Sequence, residues 1–141
     1  MKNNLSVEEL HAYFYKKHQV YWNEMIEDVE SHNFSTCNYY IRGLKEEVKA
    51  KLFPHIVLYI NCFGCHLAPK KKTQYGIHVV CNKCFLNFDP LCNEKDSLWR
   101  KLRHAKCKDE FISLCKQIRD CGYHITVSKT RMMKLYKEMN Q

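Results

Sequence analysis

Two C-x-x-C pairs constrain this chain more than any other feature of its sequence. Cys62 and Cys65 form the first pair, and Cys81 and Cys84 form the second, with fifteen residues between the pairs. Thiolates presented on two such tight turns can converge into the tetrahedral cage that zinc prefers. Gly64 allows the first turn to curl closely around an ion. The sequence therefore predicts one Zn²⁺ ion bound by these four cysteines.

The two pairs resemble the four-cysteine zinc fingers of the zinc-ribbon or treble-clef type. The resemblance implies a closed, structural site, in which the metal folds a segment that is too short and polar to fold alone. His66 and Cys92 lie near enough in the sequence to replace one of the four thiolates. A redox role fits less well, because a thioredoxin-like motif uses one pair beside a βαβ unit, and the sequence has no βαβ pattern.

A second group of ligand-type residues follows in the C-terminal third. Cys107, Cys115, Cys121 and His124 are separated by seven, five and two residues. This spacing resembles the CCCH zinc finger, a family whose members mostly bind single-stranded RNA, and implies a second zinc site. The same stretch has helical periodicity, which instead favours Cys115 in a helical core with the other two cysteines at the helix ends. Cys37, alone near the second helix, is expected in the core.

Hydrophobic periodicity predicts a mainly helical α+β protein, with helices packed around a small β zinc module. Helices are expected over residues 6–31, 35–53, 97 onward, 108–121 and 129–140. Strands are expected over residues 55–62 and 75–81, with a shorter one at 123–127. At 141 residues the chain is expected to form one domain. Its parts would be an N-terminal helical hairpin (1–54), the zinc module (55–92) and a basic helical part (93–141).

The first helix has a clear start and an ambiguous surface. Ser6 and Glu9 form a capping-box pattern at its N-terminus. One face is expected to run through Leu10, Tyr13, Phe14, Lys17, Val20, Tyr21 and Met25. The aromatic residues of this helix, which also include Tyr15 and Trp22, extend around more of the circumference than one core stripe requires. They indicate either a helix buried on two sides or a surface for a protein partner.

Positive charge is concentrated towards the C-terminus. The formal net charge is +8, of which residues 97–141 contribute +7, whereas residues 1–34 contribute −3. A charge asymmetry of this size favours a face that binds polyanions. The predicted nucleic-acid-binding residues are Lys70, Lys71, Lys72, Arg100, Lys101, Arg103, Lys106, Lys108, Lys129, Arg131, Lys134 and Lys137. The three consecutive lysines would also offset the negative charge of the zinc thiolates.

Aromatic residues next to these cations have two interpretations. Trp99 and Tyr136 could stack on unpaired bases, but both sit at core-facing helical spacing.

No H-E-x-x-H, Walker, G-x-S-x-G or dinucleotide motif occurs, so we do not expect an enzyme. No apolar run approaches the length of a membrane span.

The sequence thus predicts a zinc-stabilised regulatory protein that binds nucleic acid, with RNA or a single strand favoured, through its basic C-terminal third. Its cysteine-heavy, lysine- and asparagine-rich style resembles small viral accessory proteins that engage host factors, without identifying a family. The alternative is a zinc-folded adaptor between proteins. The N-terminus carries no secretory pattern, so we expect a reducing intracellular compartment, either the nucleus or the cytoplasm.

Overall fold

A computed structural model describes residues 4–31 and 38–141. The chain forms α1 (Val7–Ser31), α2 (Asn38–Leu52), α3 (Phe63–Leu67), β1 (Lys70–Thr73), β2 (Gly76–Val79), α4 (Leu98–Arg103), α5 (Lys108–Arg119) and α6 (Lys129–Met139). Short 3₁₀ turns occupy Tyr59–Asn61 and Cys81–Lys83. The described residues are therefore mainly helical with one small antiparallel sheet, which confirms the α+β class. The predicted start of the second helix and Cys37 lie outside the described residues.

Local signals in the sequence fix the ends of several helices. Ser6 accepts a hydrogen bond from the backbone N–H of Glu9 (3.0 Å), and the Glu9 carboxylate accepts one from Ser6 N–H (3.1 Å), so the capping box is confirmed. Ser97 caps α4 in the same way by accepting from Arg100 N–H. Gly122 follows α5 with φ +84°, a left-handed conformation that stops the helix.

The core consists of two clusters of buried side chains, and α1 contributes to both. Tyr21, Trp22 and Met25 pack with residues of α2, α4 and α5. Leu10 and Phe14 pack with residues of α3, α6 and the segment after the second C-x-x-C pair. One buried stripe of α1 thus serves both clusters, the second cluster through its N-terminal half and the first through its C-terminal half. Tyr13 and Tyr15 beside this stripe are partly buried against the second cluster.

The buried stripe of α1 differs from the predicted one. His11 and His18 are buried on it, whereas Val20, which we expected to face the core, is 40% exposed. His11 accepts hydrogen bonds at Nε2 from the N–H groups of Thr126 (3.1 Å) and Val127 (3.2 Å), and Nδ1 lies 2.7 Å from the carbonyl of Val7. This imidazole ties the start of α1 to the loop before α6.

Two predicted strands are wrong. In residues 55–62, Ile56 and Leu58 are buried and Val57 is 82% exposed, but these residues pair with no strand in the described structure and end in a 3₁₀ turn. Residues 123–127 form only an isolated bridge, between Tyr123 and Leu86. The strand expected over 75–81 is confirmed as β2, which pairs with β1 from within the lysine-bearing loop.

Candidate metal centre and basic cleft

Each C-x-x-C pair lies on a tight turn of the backbone. The chain reaches the first pair through Ile60 and Asn61, whose φ values of 55° and 51° are left-handed. Cys62 then caps the short helix α3, and its carbonyl accepts a hydrogen bond from His66 N–H at 2.9 Å. The second pair follows β2 and lies on a 3₁₀ turn, in which Cys84 N–H donates a hydrogen bond to the Cys81 carbonyl at 3.2 Å. Each pair therefore lies within a short helical turn.

Cys84 of the second pair lies beside the turn that carries the first pair. A hydrogen bond to Cys65 is the main cause that lowers the pKa of the Cys62 thiol, and the same bond raises the pKa of Cys65. Burial raises the pKa of Cys84 to about 12, and the charge of Cys62 contributes in the same direction. A Cβ atom placed on Gly64 would lie 2.7 Å from the Cys84 sulfur, so the glycine permits the close approach.

A fifth thiol belongs to this group. Burial raises the pKa of Cys92, and the neighbouring charges of Cys62, Cys84 and Cys81 raise it further. Ser97 at the start of α4 fixes the local backbone by donating a hydrogen bond to the Cys92 carbonyl at 3.0 Å. His66, the other alternative ligand, instead accepts a hydrogen bond at Nδ1 from Tyr59 N–H at 3.0 Å.

The thiol group is not arranged as a coordination shell. Within residues 4–31 and 38–141, no three histidine, cysteine, aspartate or glutamate side chains are placed so as to hold a metal ion. The donor chemistry nevertheless suits zinc, because thiolates on paired knuckles are its usual structural ligands. Zinc binding at Cys62, Cys65, Cys81 and Cys84 stays a prediction.

A buried lysine from α2, which sequence reasoning missed, lies beside the thiols. Lys45 is only 6% exposed; its ammonium donates to the Ile60 carbonyl (3.1 Å) and lies 4.6 Å from the centre of the Trp99 ring. Its charge lowers the pKa values of Cys62 and Cys92. The ion pairs among the described residues do not include Lys45. A buried charge normally requires a counter-charge, and thiolates would supply one.

The predicted second metal site is not assembled. Cys107 is the exposed N-cap of α5, whereas Cys115 is fully buried within the same helix, eight residues further on. Eight helical residues span about 12 Å, too far for two ligands of one ion. Cys121 packs against the other core cluster, and His124 bonds to Asn87 at 2.8 Å. The core interpretation of Cys115 is confirmed, and the structure does not bring these four residues together as a group able to hold a metal ion.

The structure gathers three of the predicted cations around one cleft. Lys70, from the lysine-bearing loop, and Arg131 and Lys134, from α6, line a cleft of about 900 Å³ together with His66 and one acidic residue, Glu138. Burial is the main cause that lowers the pKa values of both His66 and Lys70. Arg131 lowers both pKa values further, which shows that the positive groups lie close enough to repel one another.

Lys70 connects this cleft to the thiol group. Its ammonium donates to the carbonyls of His66 (2.5 Å) and Ala68 (2.8 Å) at the end of α3, and it lies 5.2 Å from the centre of the Tyr59 ring. The charges of Cys65 and Cys62 act in the opposite direction to burial and raise the pKa of Lys70. A lysine ammonium has three N–H donors, so one donor is left for a ligand in the cleft.

The other predicted cations do not form one continuous face with the cleft. Arg103 lines a separate cavity of about 490 Å³ with Arg42 and Trp99. The remaining eight are Lys71, Lys72, Arg100, Lys101, Lys106, Lys108, Lys129 and Lys137, and all except the half-buried Lys108 are exposed. Within the described part of the chain, the ion pairs involve only Lys51 and Arg119 as cations, so none of the twelve is neutralised by one.

The two aromatic residues next to the basic segments belong to the core. Tyr136 is 7% exposed and packs edge-on against Tyr13. Trp99 packs against the first core cluster and is covered on one side by the Lys45 ammonium. The Tyr136 ring is thus buried, whereas the half-buried Trp99 ring also lines the cavity with Arg103.

Comparison with known proteins adds no family to this description. The chain matches no protein-family model, and searches of curated proteins and of solved structures found no significant similarity. Among the described helices, none is long and apolar enough to cross a bilayer.

Proposed function

We propose that this protein is a zinc-stabilised nucleic-acid-binding protein that holds phosphates in the cleft between α3 and α6. The observation that carries the proposal is the convergence of Lys70, Arg131 and Lys134 on one cleft, although they come from segments about sixty residues apart. An anion that enters the cleft relieves the repulsion between these cations and so lowers the free energy of the complex.

The cleft suits a polyanion better than a small acidic ligand. Arg131 presents a planar guanidinium, which binds phosphate oxygens through paired N–H groups, and Lys134 lies one turn further along α6. Lys71 and Lys72 on β1 and Lys137 on α6 are exposed, and each lies within three residues in the chain of a cation of the cleft. A polyanion longer than the cleft would find these charges outside it.

Zinc would serve the same function indirectly. Cys62, Cys65, Cys81 and Cys84 would hold the ion, and Cys92 is a further thiol within reach. A closed thiolate site supplies folding energy and no reaction chemistry. The knuckle that contains Cys62 and Cys65 also begins the helix whose carbonyls anchor Lys70.

Charge reversal with a matched control tests the proposal. Arg131→Glu with Lys134→Glu should weaken binding to a labelled oligonucleotide roughly tenfold or more at low salt. On a single strand the double variant should also flatten the dependence of log K on log salt by about 1.4, since each lost phosphate contact contributes roughly 0.7. Lys16→Glu with Lys95→Glu changes the net charge equally at exposed positions outside the cleft and should retain the wild-type slope.

Two results would contradict the proposal. The first is no binding of the wild-type protein to any oligonucleotide at low salt. The second is an equal loss of affinity in the cleft variant and the control variant, which would mean that net charge alone attracts the nucleic acid. The first result would favour the protein adaptor instead.

A further inference from the structure

The β1–β2 hairpin presents an aromatic ring to solvent at its tip. Thr73 pairs with Gly76, so Gln74 and Tyr75 form the connecting turn. The Thr73 hydroxyl accepts a hydrogen bond from Tyr75 N–H at 3.2 Å, and Gly76 has φ +117°, a conformation that favours glycine. The backbone at the tip is thus fixed, while the Tyr75 side chain is 83% exposed.

Other large side chains on the hairpin are also exposed. Ile77 is 60% exposed, and it lies directly opposite Lys72 in the register. His78 lies opposite Lys71, and both are exposed on the other face. Among the described side chains Tyr75 has the most exposed aromatic ring; Tyr59 and Tyr123 follow at 37% and 38%. A ring this exposed buries too little surface to stabilise the described fold appreciably.

The charge of the segment that carries the hairpin favours an anionic partner. Residues 48–88 contain no aspartate or glutamate, and the hairpin lies in the second half of this stretch. Lys71 and Lys72 on β1 are exposed, and β1 begins with Lys70 at the basic cleft. An unpaired nucleobase with flanking phosphates complements an exposed ring next to lysines. A cationic partner surface would be repelled.

We infer that Tyr75 stacks on an unpaired base, so that the hairpin directs the protein to single-stranded nucleic acid. The inference rests on the proposed function and specifies its substrate. In the bound state phosphates occupy the cleft, while one base lies on the Tyr75 ring. Stacking requires a π-face and tolerates any base, so it provides strand selectivity without sequence specificity.

Three probes and two variants test this inference. The probes are an oligothymidine strand, an abasic deoxyribose-phosphate strand of the same length, and a blunt duplex. Tyr75→Ala should weaken binding to oligothymidine by about 5- to 150-fold, the range expected for one stacked base. Tyr75→Phe keeps the ring and should bind within about twofold of wild type. Binding of Tyr75→Ala to the abasic strand should match that of wild type, because the phosphate contacts remain.

The outcomes separate this inference from the proposed function. If wild type binds strand and duplex equally well and Tyr75→Ala binds oligothymidine normally, the hairpin inference is overturned and the phosphate cleft stands. If Tyr75→Ala loses affinity for the abasic strand by the same factor, the tyrosine acts on the hairpin and not on a base, which also overturns it. If wild type binds none of the probes, both proposals fall.

Discussion

Replacing Gly64 with alanine tests whether the two cysteine knuckles pack as the structure shows. The added Cβ atom would lie 2.7 Å from the Cys84 sulfur and 2.9 Å from Cδ1 of Leu86. Carbon atoms in contact normally lie about 3.5–4.0 Å apart, so each distance is short by roughly 1 Å. Leu86 is 2% exposed and sits in the second core cluster, which leaves it little room to move.

The expected cost follows from two opposing effects. Overpacking of a filled site costs about 1–3 kcal/mol, and two simultaneous clashes favour the upper end. Alanine in place of glycine within a helix stabilises the folded state by up to about 1 kcal/mol. We therefore expect Gly64→Ala to lower the free energy of unfolding by about 2 kcal/mol, which corresponds to about 7 °C in Tm for a chain of this length.

Thermal unfolding and zinc competition measure the two consequences. Wild-type protein should bind one zinc ion per chain, and Gly64→Ala should bind it more weakly, because the shifted Cys84 sulfur no longer meets the first knuckle. Gly43→Ala is the matched control. Gly43 lies inside α2 with no atom within 4 Å of a Cβ placed on it, so this variant should gain about 0.5–1 kcal/mol. If Gly64→Ala unfolds at the same temperature as wild type and binds zinc with the same affinity, Cys84 and Leu86 do not pack against Gly64 as described.

Two further variants test buried charges. Lys45→Met should lower zinc affinity about tenfold in a competition titration while leaving the metal-free protein as stable or more stable, because the ammonium balances thiolates only when they form; unchanged affinity would contradict this role. Burial lowers the pKa of His18 to about 4, so stability is full above pH 6.5 and falls by about 3 kcal/mol as the pH decreases towards 4. His18→Gln keeps a donor for the Ile118 carbonyl but cannot be protonated in this pH range. In denaturant unfolding between pH 7 and pH 4.5, its free energy of unfolding should change less with pH than that of wild type. An equal change in both proteins would contradict this role of His18.

Helices were predictable because their signals are local. Apolar spacing and caps identify α5 and α6 without reference to any partner. Residues 55–62 show where local signals end. Their apolar run predicts a strand, but a strand also needs a neighbour to pair with, and β2 pairs with β1 instead. The choice of strand partner depends on long-range packing.

The candidate site was predictable in composition and not in arrangement. The cysteine spacing identified four thiols that the fold brings together, and the lysine loop supplied Lys70. Lys45 was missed, because a lysine beside apolar helix positions looks the same in the sequence whether it is solvated or buried. His11 and His18 carried a usable signal: each follows the three-and-four spacing of Phe14 and Tyr21 on the apolar face of α1.

The position of Lys70 makes the thiol group and the basic cleft parts of one structure. Its ammonium is held by the carbonyls of His66 and Ala68, and that backbone directly follows Cys65. Any change that moves the first knuckle must therefore move a cation of the cleft. Arg131 is linked to the same segment, since its guanidinium donates to the Leu67 carbonyl at 3.4 Å. A metal ion at the knuckles would thus set the spacing of the phosphate-binding groups without contacting the nucleic acid, and this spacing is what a loose basic tail of equal charge would lack.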